Sequence, residues 1–566
     1  MVHPRLQPLV VAGVAAVVLG LNLGGPALWD DDEPKNAACS LAMLDANDWV
    51  VPTFNGRLRV EKPPLVNWLQ IAGYTLCGRN ETGARIGSAT LTIGTCLFTW
   101  RIGCLLFGPA TGLLGGLAMA SCVWTAVGGR AATPDAPLLF CTTLALFLFV
   151  ADQMRPGRDD RQQLSLRAAL GIGVACGAAV LAKGPVGFAL PIAAFVLFAC
   201  WRKASPPHVS WRAAIGSLRL PAIATTAAAV AMPWYALVGL RTEGAWLEGF
   251  LLVHNVGRFA APMEGHSGSL LYYPVTVAVG LFPWSIVLAA MIAHSFGVLR
   301  SQADDERRMP VQLLACWSIA WIGAFSCAGT KLPGYVWPSY PALAVLTGLF
   351  LDDWARGDTS FLRWCRDPAR AIGIVMRVAW SVLAAAGIAI AIGLPMAAAR
   401  HSPGSEWLGL FGLLPIAAAA VAWRSQSFGR PDWSLAAVAA CSCLLVTALA
   451  SVAAPEVSRA QGVRTLAVDG GKTLPDCSWA CFWNVPPSLV FYTRGRVTKL
   501  DTPADVVRHL TCSPNPRIVI DSRHEPLVSA AIPPGFGVLA RIPTLSDQHY
   551  VVIGPEAATG DAVAVR

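Results

Sequence analysis

"DDDEPKNAACSLAMLDANDWVVPTFNGRLRVEKPPLVNWL" fills Asp30–Leu69, directly after an apolar run near 7–28. Four consecutive acids and a Glu-Lys-Pro-Pro stand where a membrane helix has just left the bilayer. The surrounding composition makes that placement informative. A soluble domain carries about 25% charged residues, whereas this 566-residue chain has 14% charged and 55% hydrophobic residues, with mean hydropathy +0.52. The deficit predicts a polytopic membrane protein, and 21 Trp fit aromatic belts at its two interfaces. A net charge of +9 invites a nucleic-acid reading, but the basic residues are scattered between apolar spans, which excludes one. Most of the 16 Cys lie in apolar runs, where a thiol behaves as a small hydrophobe.

Runs long enough to cross about 30 Å of hydrocarbon number about thirteen: 7–28, 85–105, 110–128, 137–152, 168–182, 185–201, 214–238, 270–298, 311–328, 335–351, 372–397, 405–423 and 434–453. The first lacks a small-residue cleavage pattern and reads as an anchor. With the N-terminus inside, the short inner loops hold eighteen Lys/Arg and the short outer loops six. This positive-inside bias leaves the loop 29–84 and the C-terminal tail outside. Residues 1–454 are then the membrane unit and 455–566 a small external α/β unit. In the latter, "RTLAVDG", "SLVFYTRGRVTKL", "PRIVIDSR", "GVLARIP" and "HYVVIG" read as strands, with "TPADVVRHL" as a helix between two of them. Cys477 with Cys481 or Cys512, and Cys39 with Cys77, are candidate disulfides in an oxidising compartment.

The few charges of the outer loops recur in unusual company: "DDDEPK", "RVEKPP", "GGRAATPDAP", "LAKGP", "HNVGRFAAPMEGHSG" and "GTKLPGY". The topology puts all six on one face. Two acids at loop–helix junctions, Asp32 and Asp135, meet a ring of cations, Lys35, Lys62, Lys183, Arg258 and Lys331. A carboxylate can serve as general base, and converging cations suit a phosphate that must be held and then leave as an anion. An apolar bundle beside them suits a lipid tail. Each residue also has a plainer reading: Asp32 and Asp135 as helix caps, the lysines as snorkelling side chains, Arg130 as a helix end.

The quoted pieces, with "NDWVVPTFNGRLRVEKPPLVNW", "TPDAPLLF", "PWY", "YYPV", "LFPW" and "KLPGYVWPSYPALAVL", resemble the GT-C glycosyltransferases over roughly residues 20–350. The resemblance is to the bacterial branch with the 4-amino-4-deoxy-L-arabinose transferases of lipid A and the relatives of the protein O-mannosyltransferases. It implies a GT-C helical bundle, a polyprenyl-phosphate-sugar donor, inverting transfer to a lipid or protein acceptor, and a catalytic Asp in the first external loop. Carried over by residue, Asp32 is that Asp, with Glu33 beside it, and Asp135 is the second acidic position. Lys35 stands where the family often has Arg, Glu61 and Lys62 match its "EKP", and Arg258, Lys331 and Tyr335 match its lipid-phosphate ligands. Some relatives hold a metal between the first-loop Glu and a His after the seventh span; here Glu61, His254 and His266 are the candidates for a divalent Zn or Mg ion. The implied location is the inner (plasma) membrane. A flippase of polyprenyl-linked substrates is the rival class; it predicts internal repeats and midplane charges, and the sequence displays no repeat.

Overall fold

The computed structural model describes residues 2–29, 31–157, 163–203, 215–257, 268–269, 271–301, 305–359, 362, 365–459, 462–464, 468–469, 472–473, 477–543 and 549–556. Among the described residues, eight helices are long and apolar enough to cross a bilayer, or nine if the bent pair Pro109–Ala120 and Val123–Arg130 is one span. Three shorter apolar helices, Gln7–Gly20, Val186–Arg202 and Trp284–Arg300, accompany them. The chain is a polytopic, mostly helical membrane protein. The run 110–128 is bent by 57° between its two helices, and the run 270–298 is interrupted between Tyr272–Gly280 and Leu288–Arg300 by a 3-10 turn, Trp284–Val287. Pro283 begins that turn, where a missing N–H interrupts a regular helix.

The loop 29–84 is not a plain connection. Asp32–Asp45 and Leu65–Cys77 are helices, with a hairpin between them that pairs Thr53 with Leu58 and Phe54 with Arg57. Its turn is Asn55-Gly56 with φ of 49° and 77°, the primed turn that Asn-Gly favours. Glu81–Phe107 starts with Asn80 accepting the Gly83 N–H, an N-cap that fixes where the span begins.

The C-terminal segment holds a five-stranded sheet in the order Thr498–Leu500, Ser478–Phe482, Pro516–Asp521, His549–Pro555, Phe536–Pro543. The first three strands are parallel and the last two antiparallel additions. Pro503–Cys512 is a helix with a Thr502–Asp505 capping box, as "TPADVVRHL" predicts. Two readings are corrected. "SLVFYT" lies in the helix Pro487–Thr493, started by a proline in its first turn. "SWACF" is an interior strand, between Thr498–Leu500 and Pro516–Asp521, that the sequence reading passed over.

One core runs through the membrane helices from Val11 to Cys441. A second is shared: Leu28, Ala37 and Tyr74 pack with Trp479, Leu489, Phe491 and Val497. The first-loop elements and the C-terminal sheet therefore bury one apolar surface between them. Tyr492 adds a polar tie, accepting the Leu28 N–H at 3.0 Å and donating to Glu81 Oε1 at 3.1 Å. Neither candidate disulfide is formed: Cys39, Cys77, Cys477, Cys481 and Cys512 are all thiols. Cys39 is buried with Met43 and Ile71, while Cys77 is exposed.

Candidate active site

The helix Asp32–Asp45 organises the site from its first turn. Asp32 is exposed, in the turn where acids are favoured by the helix field. Its neighbour Glu33 points the other way and is 4% exposed. Both Glu33 oxygens are occupied: Arg85 donates Nε to Oε1 at 3.0 Å and Nη2 to Oε2 at 2.7 Å, Ala132 N–H donates to Oε1 at 2.6 Å, and Trp29 N–H donates to Oε2 at 2.8 Å. Arg85 also donates to the carbonyls of Leu23, Pro26 and Ala27. The structure thus corrects the catalytic reading of Glu33. Its carboxylate fastens the exit of the first helix, the span at Arg85 and the loop that carries Asp135.

A second layer does the same from the other side. Asn36 donates to the Ala132 carbonyl at 3.0 Å and accepts Arg59 Nη2 at 2.6 Å. Ser40, Asn67 and Gln70 continue this buried network, with Asn67 donating to Ser40 at 2.8 Å and Ser40 to Gln70 at 2.5 Å. Arg59 and Lys35 then converge on Glu61, Nε to Oε2 at 3.1 Å and Nζ to Oε1 at 2.7 Å. Burial pushes the Glu61 carboxyl up, but the Arg59 charge and the hydrogen bond and charge of Lys35 outweigh it and hold it at about 2. Glu61 is therefore a fixed anion at neutral pH.

Asp135 opens the helix Asp135–Gln153 behind Pro134 and forms an ion pair with Lys183, the last residue of Leu166–Lys183. Lys183 lies 4.8 Å from the Tyr335 ring centroid and within the field of Asp32 as well as Asp135. Gly334 allows this approach: a Cβ there would stand 3.2 Å from Asp135 Oδ2. Lys331, 7% exposed, donates to the Ser326 carbonyl at 2.8 Å and sits 5.6 Å from the Tyr273 ring.

These groups frame a cavity of about 180 Å³. Glu61, Lys62, Lys183, His254, Asn255, Thr330 and Tyr335 are its polar lining, and Val186, Leu190, Phe250, Ala324, Phe325 and Ala328 its apolar lining. Five residues of the sequence reading, Glu61, Lys62, Lys183, His254 and Tyr335, meet there, with Lys35 and Asp135 one contact behind them. Arg258 and His266 lie outside the described residues. Among the described residues no three His, Cys, Asp or Glu stand together to hold a metal ion. Both Glu61 oxygens are in ion pairs, so this donor set does not fit a resident divalent ion and no step is routed through one. Arg130 is a structural residue: its guanidinium caps the first helix through the Val18, Leu21 and Asn22 carbonyls.

Gly184 joins Lys183 to the cavity wall. Its φ of 84° and ψ of −156° belong to a region open almost only to glycine, and an added Cβ would lie 2.5 Å from Phe250 Cζ. Gly184→Ala is expected to destabilise the fold by about 1–3 kcal/mol and to lower turnover by about tenfold or more through misplaced Lys183. The thermal midpoint and turnover of the purified variant check this; wild-type values for both would show that Phe250 moves aside freely.

The sequence reading missed Arg85, Arg59 and Asn36. Arg85 had a signal, because an ionisable residue inside an apolar span marks a paired or functional group. Asn36 and Arg59 had none, since the side chains they join are far apart in the chain.

The dolichyl-phosphate-mannose-protein mannosyltransferase family matches residues 61–236. An undecaprenyl phosphate-alpha-4-amino-4-deoxy-L-arabinose arabinosyl transferase of Pseudomonas aeruginosa is 31% identical over 328 residues, 58% of this chain and 56% of the relative. The corresponding transferase 2 of Pseudomonas fluorescens is 30% identical over 350 residues, 61% of this chain and 56% of the relative. The matches thus span 56% of the length of these curated relatives. In fold, the crystal structure of ArnT from Cupriavidus metallidurans bound to undecaprenyl phosphate matches with a TM-score of 0.78 and 22% identity, over 96% of this chain and 97% of that one. The archaeal oligosaccharyltransferase AglB from Archaeoglobus fulgidus follows at a TM-score of 0.51 and 12% identity, over 92% and 70%. The chain thus has the fold of ArnT over 96% of its length and is similar in sequence, over part of it, to aminoarabinose transferases and to the protein mannosyltransferase family.

Proposed function

We propose that the protein is an inverting glycosyltransferase that moves a sugar from a polyprenyl-phosphate donor to an acceptor hydroxyl at the outer face of the plasma membrane. The carrying observation is a cavity whose lining combines the cations Lys62 and Lys183 with apolar side chains, beside the Asp135–Lys183 pair. A lipid phosphate has that polarity. In this reading the tail lies along Val186, Leu190 and Phe325, and the phosphate meets Lys62, Lys183 and Tyr335, with Arg258 and Lys331 as further cationic support.

Asp32 takes the proton of the acceptor hydroxyl as its oxygen attacks the anomeric carbon. The bond from that carbon to the phosphate oxygen breaks on the opposite side, and the electron pair leaves on the phosphate. Charge growing there is stabilised by fixed cations that need no reorganisation. Asp135 holds the Lys183 ammonium in place by their ion pair until the phosphate arrives. Lys35 holds Glu61 and, through it, the segment that presents Lys62. We read residues 1–454 as the membrane-embedded catalytic unit, 455–566 as extracytoplasmic, and the N-terminus as cytoplasmic. The relatives' names favour an aminopentose donor, and the resemblance drawn from the sequence favours a lipid A-like acceptor.

The test is turnover in liposomes supplied with polyprenyl-phosphate sugars, following release of free polyprenyl phosphate. Lys183→Gln is expected to raise the donor KM by about 10–100-fold, since a hydrogen bond to a charged group contributes about 1.5–3 kcal/mol. A panel of donors of which none is consumed, with labelled carrier crossing the bilayer instead, would replace the transferase by a flippase.

A further inference from the structure

A second and larger hollow, about 670 Å³, lies between the first-loop hairpin and the C-terminal sheet. Its walls carry Lys35, Arg57 and Arg59 from the first loop and Arg496 and Lys499 from the C-terminal segment, against the single acid Glu61. Lys35 and Arg59 both pair with Glu61, and Lys499 pairs with Asp501 at 2.7 Å. Arg57 and Arg496 are exposed and have no acidic partner among the described residues. Two guanidinium groups thus face one hollow with their forks uncommitted.

The hollow is built, not accidental. Asn55 at the hairpin tip exchanges hydrogen bonds with Val497 in both directions, each 2.9 Å, which fixes the distance between the two walls. Arg496 lies over the hairpin turn: a Cβ on Gly56 would stand 3.0 Å from its Cζ. Trp483, also in the wall, is 49% exposed and has φ of 68°. A bulky residue in the left-handed region is strained, and such strain persists where surrounding structure over-determines it. Here Trp483 donates Nε1–H to the Asp501 carbonyl at 3.0 Å and stacks on Phe482 at 5.8 Å. Trp483 also packs against the His524 ring at 4.6 Å, and its exposed half stands beside two arginines that have no acidic partner among the described residues. Glu61 belongs to both this hollow and the cavity of the candidate active site, so the two meet at its carboxylate.

We propose that this hollow binds a phosphorylated sugar, with Arg57 and Arg496 forking onto the phosphate and Trp483 stacking on the pyranose ring. As the acceptor headgroup subsite this rests on the transferase reading; as a binding site it does not. Guanidinium groups suit the task because they match phosphate bidentately and stay charged. The C-terminal unit then supplies half of a recognition site whose chemistry is completed in the membrane unit.

The experiment titrates the full chain in nanodiscs with glucosamine 1-phosphate, inorganic phosphate and glucosamine, by calorimetry, against Arg57→Gln/Arg496→Gln and Trp483→Ala. The wild type is expected to bind the sugar phosphate more tightly than either part. The double variant loses about tenfold or more in affinity, and Trp483→Ala weakens the sugar phosphate but not inorganic phosphate. Circular dichroism and thermal midpoints confirm that the variants fold. Equal affinity in all three proteins, equal binding of phosphate and sugar phosphate, or tighter binding of an acidic peptide would overturn the proposal. Asp32→Asn separates the two readings. If no donor is consumed by any protein while the arginine-dependent binding persists, the transferase reading fails and the subsite stands.

Discussion

Asp32→Asn should lower release of polyprenyl phosphate by about 100- to 10,000-fold, the range over which a positioned base acts, while the protein still inserts and binds the carrier. The argument is one of division of labour within one helical turn. Asp32 is exposed and its charge acts on Lys183 of the cavity wall, whereas the buried Glu33 accepts four hydrogen bonds and has no oxygen left for a substrate. Asparagine keeps the size and the helix-starting preference of aspartate, so the substitution removes the acceptor of a proton and little else. The check is single-turnover kinetics beside a carrier-binding assay in the same nanodiscs. Retained turnover in Asp32→Asn with an inactive Asp31→Asn would move the base by one residue. Retained turnover in both would remove the first loop from the chemistry.

Arg85→Met should do more harm to the fold than any substitution in the cavity. It leaves the Glu33 carboxylate buried without its cation and frees the Leu23, Pro26 and Ala27 carbonyls that the guanidinium satisfies. Breaking one side of a buried pair typically costs about 3–5 kcal/mol. The paired substitution Arg85→Met/Glu33→Gln, which removes both charges, should recover a good part of that loss, because replacing a buried pair by neutral groups is far gentler than orphaning one charge. Thermal unfolding of the two variants decides this. If the double variant is as unstable as the single one, the carbonyl contacts of Arg85 outweigh its charge.

The membrane character, the positions of most spans and the clustering of Asp135, Lys183, Lys62 and Tyr335 were legible because each depends on local hydropathy and on which side of the membrane a loop emerges. What was not legible depends on direction. Nothing in "DDDE" tells which acid is exposed and which is buried, since adjacent residues on a helix differ by about 100°. The bend between Ala120 and Val123 leaves hydropathy unchanged. The segment "SLVFYT" and the strand "SWACF" are both short apolar stretches, for which length and composition do not separate helix from strand. Arg85 was readable in principle and was hidden by drawing the span to begin at it.

The tie between Leu28 and Tyr492 bears on how the protein is made. The two partners are 464 residues apart in the chain. At roughly 5–20 residues per second of synthesis, the nascent first loop waits on the order of a minute outside the membrane before the segment that covers Leu28, Ala37 and Tyr74 is even translated. During that interval its apolar surface is open to the bilayer and to other chains. A chain released before its last hundred residues would leave a fully inserted bundle with an unfinished mouth, so quality control of this protein has to inspect its far end.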